Sequence, residues 1–263
     1  MNIDDTIQQR LTAIERERDV RILYACESGS RAWGFASPDS DYDVRFIYVQ
    51  RRDWYLAYNI ERKRDVIELP IVDAIDCNGW DLRKALYLFA RTNGALLEWL
   101  NSPIRYREQG LTAETLRQLA PTVCNATALC YHYSHMARGN ARDYLFGQQV
   151  RLKKYFYVLR PLLAIRYIQQ TGTPPPTEFQ ALVDAVAPDS LLPSIQALLE
   201  QKRQSVELGR GEAIPAIDRF IRAELDEQDD RFTGQGRPTL TGSAVDESLN
   251  RIFRHAITEF EED

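Results

Sequence analysis

The sequence predicts two domains of different class, an α/β domain over residues 1–107 followed by an all-α domain over residues 108–263. Two observations carry this. In the first part, short apolar runs rich in Val, Ile, Tyr and Phe (Val20 to Cys26, Val44 to Val49, Val66 to Asp76) alternate with helical spacings. From about residue 110 the strand-like runs fade, and apolar residues at three- and four-residue intervals continue as far as Phe260. A length of 263 residues suits one or two domains with a substantial core.

The elements follow in order. Ile3, Ile7, Leu11 and Ile14 lie among Asp, Gln, Glu and Arg and predict an amphipathic helix over 3–18. Val20 to Cys26 has the length and composition of a strand and runs into Gly29-Ser30; Ser37-Pro38-Asp39-Ser40 is a turn cluster that delivers the chain to a second strand over 44–49. Residues 50–64 read as a loop with some helix or hairpin. Val66 to Asp76 reads as a strand or a strand pair interrupted at Pro70, with Gly79-Trp80-Asp81 ending it. Leu82, Ala85, Leu86 and Phe89 then mark a helix that stops at Asn93-Gly94, and Ala95 to Leu100 is apolar enough to be buried. Beyond the boundary, helices are predicted over 111–119, 122–137, 147–170, 178–186, 191–209, 213–228 and 244–260, with Pro161 kinking the third, Thr171 to Thr177 a stiff linker and Thr233 to Pro238 a mobile turn.

Composition bounds the function. With 44% hydrophobic and 27% charged residues the chain reads as an ordinary soluble globular protein, and a formal charge of -5 excludes a whole-molecule field that gathers nucleic acid, so any basic patch is local. No apolar run approaches the ~18 residues of a membrane span, and Asp4 and Asp5 stand where a secretory signal would be apolar, so a cytoplasmic protein is expected. Cys26, Cys77, Cys124 and Cys130 form no CxxC pair and are too scattered for a disulfide framework; free, buried thiols are expected.

The chemistry concentrates between Tyr24 and Val49. Asp41 and Asp43 leave one face of a strand, two residues apart, and two such charges call for a hard divalent cation. Gly29 permits close backbone approach, and Ser30 offers a hydroxyl where free N–H groups favour a phosphate. Arg45 shares the face of the two acids and can orient a carboxylate or a phosphate, or serve as a structural ion pair. Lys153, Tyr157 and Arg160 fall on one helical face, where they can grip a triphosphate or a nucleic-acid backbone or remain solvated. His132 and His135, one turn apart, lack a nearby third metal ligand.

Gly29-Ser30, ten residues, then Asp41-Tyr42-Asp43 resembles the signature of the minimal nucleotidyltransferases in the DNA polymerase beta superfamily. Gly29 to Gly34, Ser40 to Arg45, Asp76 to Leu86, Leu97 to Pro103 and Lys153 to Arg160 together resemble the YcgL/RlaP-type predicted nucleotidyltransferases, also described as an RNA repair pathway DNA polymerase beta family. The resemblance implies an α/β (α+β) nucleotidyltransferase domain with a mixed sheet, in which three carboxylates hold two Mg²⁺ ions, with Mn²⁺ as a substitute. Asp41 and Asp43 match the first two. Asp76 matches the third best, with Asp73 and Glu68 left open. It also implies a nucleotide site of Gly29, Ser30, Lys84, Lys153, Tyr157 and Arg160, with an NTP triphosphate in a cleft between the two domains. The expected reaction moves a nucleoside monophosphate from the NTP to an acceptor hydroxyl, with an RNA 3′ end as the acceptor by family analogy. A small-molecule or protein hydroxyl is the next candidate, and a catalytically silent nucleotide- or RNA-binding module is the alternative of a different class.

Overall fold

A computed structural model describes residues 2–145, 147, 149–204, 209–232 and 242–262, with the side chains of 229–232 and 243 left out; the expected turn at Thr233 to Pro238 lies outside these. The chain begins with α1 (Ile3–Arg18), β1 (Val20–Glu27), the single turn α2 (Gly29–Ala32), β2 (Tyr42–Gln50) and α3 (Arg52–Tyr55). After a 3-10 turn at Ile60–Arg62 come β3 (Val66–Glu68), β4 (Ile75–Asp81), α4 (Leu82–Ala90), α5 (Gly94–Leu100), β5 (Arg105–Glu108) and α6 (Thr112–Val123). The remainder is α7 (Ala126–Tyr144), β6 (Gln149–Arg151), α8 (Lys153–Thr171), α9 (Phe179–Val186), α10 (Leu192–Gln204), β7 (Arg210–Glu212), α11 (Pro215–Phe232) and α12 (Ser243–Glu262). The α/β part followed by helices is the expected class. No described helix is long and apolar enough to cross a membrane.

The chain divides into two compact units. The first takes in residues up to Ala32, Asp41–Val123 and the described C-terminal helix; the second takes in Trp33–Ser40 and the described residues from Cys124 to the end of α11. This division differs from a boundary at residue 107: α6 and α12 go with the sheet. Their apolar faces explain it, since α6 packs on β1 and α5, and α12 on α4, α3 and β2.

In the first unit five strands form one mixed sheet in the order β3-β4-β2-β1-β5. All neighbours are antiparallel except β2 and β4, which run parallel. The predicted α1 stripe is present: Ile7, Leu11 and Ile14 are buried against Val20, Ile22, Ala25, Val44, Phe46, Tyr48 and Cys77, each buried side chain worth ~1.5–3 kcal/mol relative to exposure. Acidic residues in the first turn of α1 and basic residues in the last suit its dipole, and Asp19 closes it in a left-handed conformation (φ 49°). The strand expected to stop at Gly79 instead runs through it to Asp81. The reason is steric: a Cβ on Gly79 would stand 2.1 Å from the ring of Phe46, so glycine is what lets β4 lie beside β2 there. Pro70 falls between β3 and β4, outside both strands.

The second unit is built on α7 and α8, which pack along each other, with α9 and α11 against α8. Its core takes in Phe35 from the segment between Gly29-Ser30 and Asp41, stacked on Phe156 at 4.6 Å and edge-on to Phe179 at 5.6 Å. Two features depart from expectation. Residues 149–151 form a strand paired with β7, so the helix starts only at Lys153. That helix also carries no continuous basic face: Val158 to Ile165 are buried without a break because neighbours cover α8 on several sides, and the helix continues past Pro161.

Asp81 shows how β4 is joined to α4. Its Oδ1 accepts from the Arg83 N–H at 2.9 Å, capping the helix, and its Oδ2 accepts from the Tyr55 hydroxyl at 2.7 Å. Burial, the largest cause, lifts its carboxyl to about 6 from 3.8. A carboxyl pKa raised in the folded state means that the native protein holds the proton more tightly than the unfolded chain. The stabilisation is therefore present below about pH 4 and is lost as pH rises through about 6. Urea denaturation of the wild type and Asp81→Asn across this range should show the wild type losing up to ~3 kcal/mol relative to the variant as pH rises. A difference independent of pH would contradict the account.

Candidate active site

The parallel register of β2 and β4 sets Asp43 opposite Asp76 and Arg45 opposite Asn78. Because side chains alternate, Val44, Phe46 and Cys77 enter the α1 core while Asp43, Arg45, Asp76 and Asn78 leave the other face. Arg45 joins the acids across the strands. Its Nη2 donates to Asp43 Oδ1 at 2.9 Å and to Asp76 Oδ2 at 2.9 Å, and its Nη1 donates to the Asp76 carbonyl at 3.0 Å and the Val44 carbonyl at 3.2 Å. Asn78 Nδ2 donates to Asp76 Oδ1 at 2.7 Å.

Gly29 supplies the other wall. Its φ of +59° belongs to the left-handed region, and an added Cβ would stand 2.1 Å from Asp43 Oδ2. The Ser28 N–H donates to the Asp43 carbonyl at 2.8 Å, tying the turn to β2. Ser30 lies within α2, half-buried. Arg31 Nε donates to the Asp41 carbonyl at 3.2 Å while its guanidinium lies 3.8 Å from the centre of the Tyr42 ring, fixing the backbone that carries Asp41. Asp41 itself is exposed, immediately before β2.

Behind the pair stands a buried acid that the motif reading does not contain. Glu27, fully buried at the end of β1, accepts the Asp43 N–H at 2.7 Å on Oε1 and the Tyr106 hydroxyl on Oε2. Burial raises its pKa most, opposed by those two hydrogen bonds. The sequence signal was present: a carboxylate closes the apolar run Val20 to Cys26 just before the glycine turn. Asp43 is also held above the ordinary carboxylate range. Burial is the largest cause, Arg45 opposes it, and the charges of Asp76 and Asp41 add to it.

The oxygen donors suit a hard divalent cation, but with Arg45 in place the facing pair does not present them to one. Arg45 Nη2 bonds to both facing carboxylates, and among the described residues no three His, Cys, Asp or Glu side chains form a group that could hold a metal ion. His132 and His135 gain no third ligand there either.

The sequence matches the family described as RlaP, RNA repair pathway DNA polymerase beta family, over residues 3–255. The chain belongs to that family. The RlaP assignment is accompanied by 51% identity over 221 residues to the uncharacterized protein YcgL of Bacillus subtilis (strain 168), covering 84% of each chain. Among solved structures, a nucleotidyltransferase-like protein from Exiguobacterium sibiricum 255-15 aligns over 97% of this chain and 91% of its own, at 10% identity and a TM-score of 0.31, a likeness too slight to carry an argument.

In this RlaP family member the other anticipated residues are distributed as follows. Asp73 lies exposed in the turn before β4 with φ 53°, and Glu68 is on the edge strand, paired with Arg64; neither faces Asp43 in the register. Lys84 follows the far end of β4, ~16 Å along the strand from Asp76, and its Nζ is 3.0 Å from Asp65 Oδ1. There it lines a separate cavity of about 460 Å³ with Trp54, Lys63, Asp65, Arg83 and Tyr87. Lys153, Tyr157 and Arg160 belong to the second unit. Arg160 is buried, with Nε donating to the Thr177 carbonyl at 3.2 Å and its guanidinium 4.5 Å from the centre of the Trp33 ring. Tyr157 is half-buried and meets Trp33 edge-on. Lys154 lies between the rings of Tyr144 (4.1 Å) and Tyr157 (4.7 Å). Its pKa is lowered, first by burial and then by the charges of Lys153 and Arg151, so three cations converge at the start of α8.

The Gly29 contact gives a direct check. Gly29→Ala combines left-handed strain of ~1–2 kcal/mol with displacement of the Asp43 carboxylate. Gly34→Ala, also at positive φ (+85°) but with nothing within 4 Å of the new Cβ, carries the strain alone. Denaturation should show Gly29→Ala as the more destabilised; equal losses would mean that the Asp43 contact contributes nothing.

Proposed function

We propose that this chain is a nucleotidyltransferase enzyme acting in the cytoplasm, moving a nucleoside monophosphate from an NTP to an acceptor hydroxyl, with Mg²⁺ required, Mn²⁺ as a substitute and an RNA 3′ end as acceptor. The observation that carries the reading is the Asp43–Asp76 pair beside the Gly29 turn, in a chain of the DNA polymerase beta-type RlaP family. In the proposed reaction the acceptor oxygen attacks the α-phosphorus in line with the departing pyrophosphate. Asp43, whose carboxyl burial holds above the ordinary range, takes the acceptor's proton. Glu27 holds the Asp43 backbone, and Gly29 keeps its carboxylate against the turn. Arg151, Lys153 and Lys154, with Tyr144 and Tyr157, give the second unit a cationic and aromatic surface suited to a phosphate-bearing ligand.

One observation favours a second reading, a catalytically silent nucleotide- or RNA-binding module: Arg45 already pairs with the two carboxylates that a metal-dependent enzyme would leave for cations. The same assay separates the two. The protein is incubated with each α-labelled NTP, Mg²⁺ or Mn²⁺, and total RNA or a metabolite pool. Label should appear in RNA, Asp41→Asn should abolish transfer, and Asp43→Asn should lower it by ~10²–10⁴-fold or more. Label in a small molecule or in protein would replace the RNA acceptor. Nucleotide binding with no transfer, or unchanged transfer by Asp43→Asn, would sink the enzymatic reading.

A further inference from the structure

The two carboxylates that face each other across β2 and β4 have four oxygens, and three kinds of neighbour divide them. Asp76 Oδ1 accepts the Asn78 amide at 2.7 Å. Asp43 Oδ2 lies so close to Gly29 that a Cβ there would be 2.1 Å away. This leaves Asp43 Oδ1 and Asp76 Oδ2, and a single nitrogen, Arg45 Nη2, sits 2.9 Å from both. The other terminal nitrogen is anchored on the Asp76 and Val44 carbonyls, so the guanidinium is held in place by the strand backbone as well as by charge. Its side chain is 17% exposed, and those of Asp43 and Asp76 are 30% and 19%, so the bonds are partly shielded from water.

A divalent cation at this pair needs the same two inward oxygens, at contact distances of ~2.0–2.1 Å for Mg²⁺. An N–H donor and a cation cannot both take the space between them. We propose that Arg45 is a resident counterion of the Asp43–Asp76 pair, and that a divalent cation binds there only by displacing its guanidinium from the two facing oxygens. The inference rests on the nucleotidyl-transfer reading only for the identity of the cation. Its consequence is a site that keeps both carboxylates paired and positioned without metal, and that binds metal more weakly than bare carboxylates would. Arg45 is thus a positioning residue, acting through Asp43 and Asp76.

The test uses the full-length protein without nucleotide and Mn²⁺ as the probe. Mn²⁺ affinity by calorimetric titration and melting temperature with and without Mn²⁺ are measured for wild type, Arg45→Gln and Arg45→Lys. Loss of the competing cation in Arg45→Gln should tighten Mn²⁺ binding about tenfold or more, a gain comparable to one charge-assisted hydrogen bond. Its metal-free melting temperature should fall, and its rise on adding Mn²⁺ should exceed that of the wild type. Arg45→Lys, which keeps the charge, should bind Mn²⁺ close to wild type. Equal or weaker Mn²⁺ binding by a folded Arg45→Gln overturns the proposal.

A readout on the wild type alone does not depend on a variant folding. Mn²⁺ should increase modification of Arg45 by phenylglyoxal, mapped by mass spectrometry, and unchanged or reduced modification overturns displacement. Absence of Mn²⁺ binding in both wild type and Arg45→Gln also overturns it. Labelled-NTP transfer by wild type then decides separately whether the enzymatic reading stands.

Discussion

The parallel pairing of β2 with β4 is the constraint on which the site depends. Shifting the register by one residue would turn every side chain of one strand to the opposite face. The apolar half of the pattern prevents this: Val44 and Phe46 from β2, and Ile75 and Cys77 from β4, all enter the core under α1. Gly79 adds a steric lock, since only a residue without a side chain fits against Phe46 at that step. Asp43 and Asp76 therefore face each other because their neighbours are anchored on the far side of the sheet. The site is a by-product of the packing beneath it.

Electrostatics then decides what such a pair can do. Two carboxylates brought together in a partly dry place are costly, and the Asp43 pKa is raised first by burial and further by the charges of Asp76 and Asp41. Arg45 offsets the repulsion from within the same strand, and Glu27 secures the Asp43 backbone from β1. Glu27 is buried more completely than the Asp43 it supports, and the Tyr106 hydroxyl and Asp43 N–H are what make a carboxylate tolerable there. Three adjacent strands, with β5 through Tyr106, thus contribute to one polar network, and Asp41 stands exposed just before β2.

Much of this was legible in the sequence where periodicity and turn chemistry act locally. The α1 stripe, β1, β2, α4 and the Gly29 turn follow from apolar spacing and from what glycine alone allows. The Asp-x-Asp pattern located the acids, and Asp76 stands opposite Asp43 in the structure while Asp73 and Glu68 do not. Long-range pairing was less legible. Gly79 looks like a strand terminator until Phe46 is placed across from it, and the short β6–β7 ribbon joins segments 59 or more residues apart in sequence. Arg160 shares a helical face with Lys153 and Tyr157 in projection, but neighbouring elements cover that part of α8, and its charge is met by a carbonyl and an indole ring. Glu27 is marked in the sequence only as a lone acid closing an apolar run; the fold is what gives it Asp43 and Tyr106 as partners.

In the proposed reaction the Asp43–Asp76 face breaks the bond between the α- and β-phosphates of an NTP and passes the nucleotide to an acceptor. The most direct measurement is the product balance of the wild-type protein with NTP, divalent cation and the labelled acceptor. Pyrophosphate should be released in an amount equal to nucleotide incorporated. Release of orthophosphate, or of pyrophosphate without any labelled acceptor, would contradict that reaction.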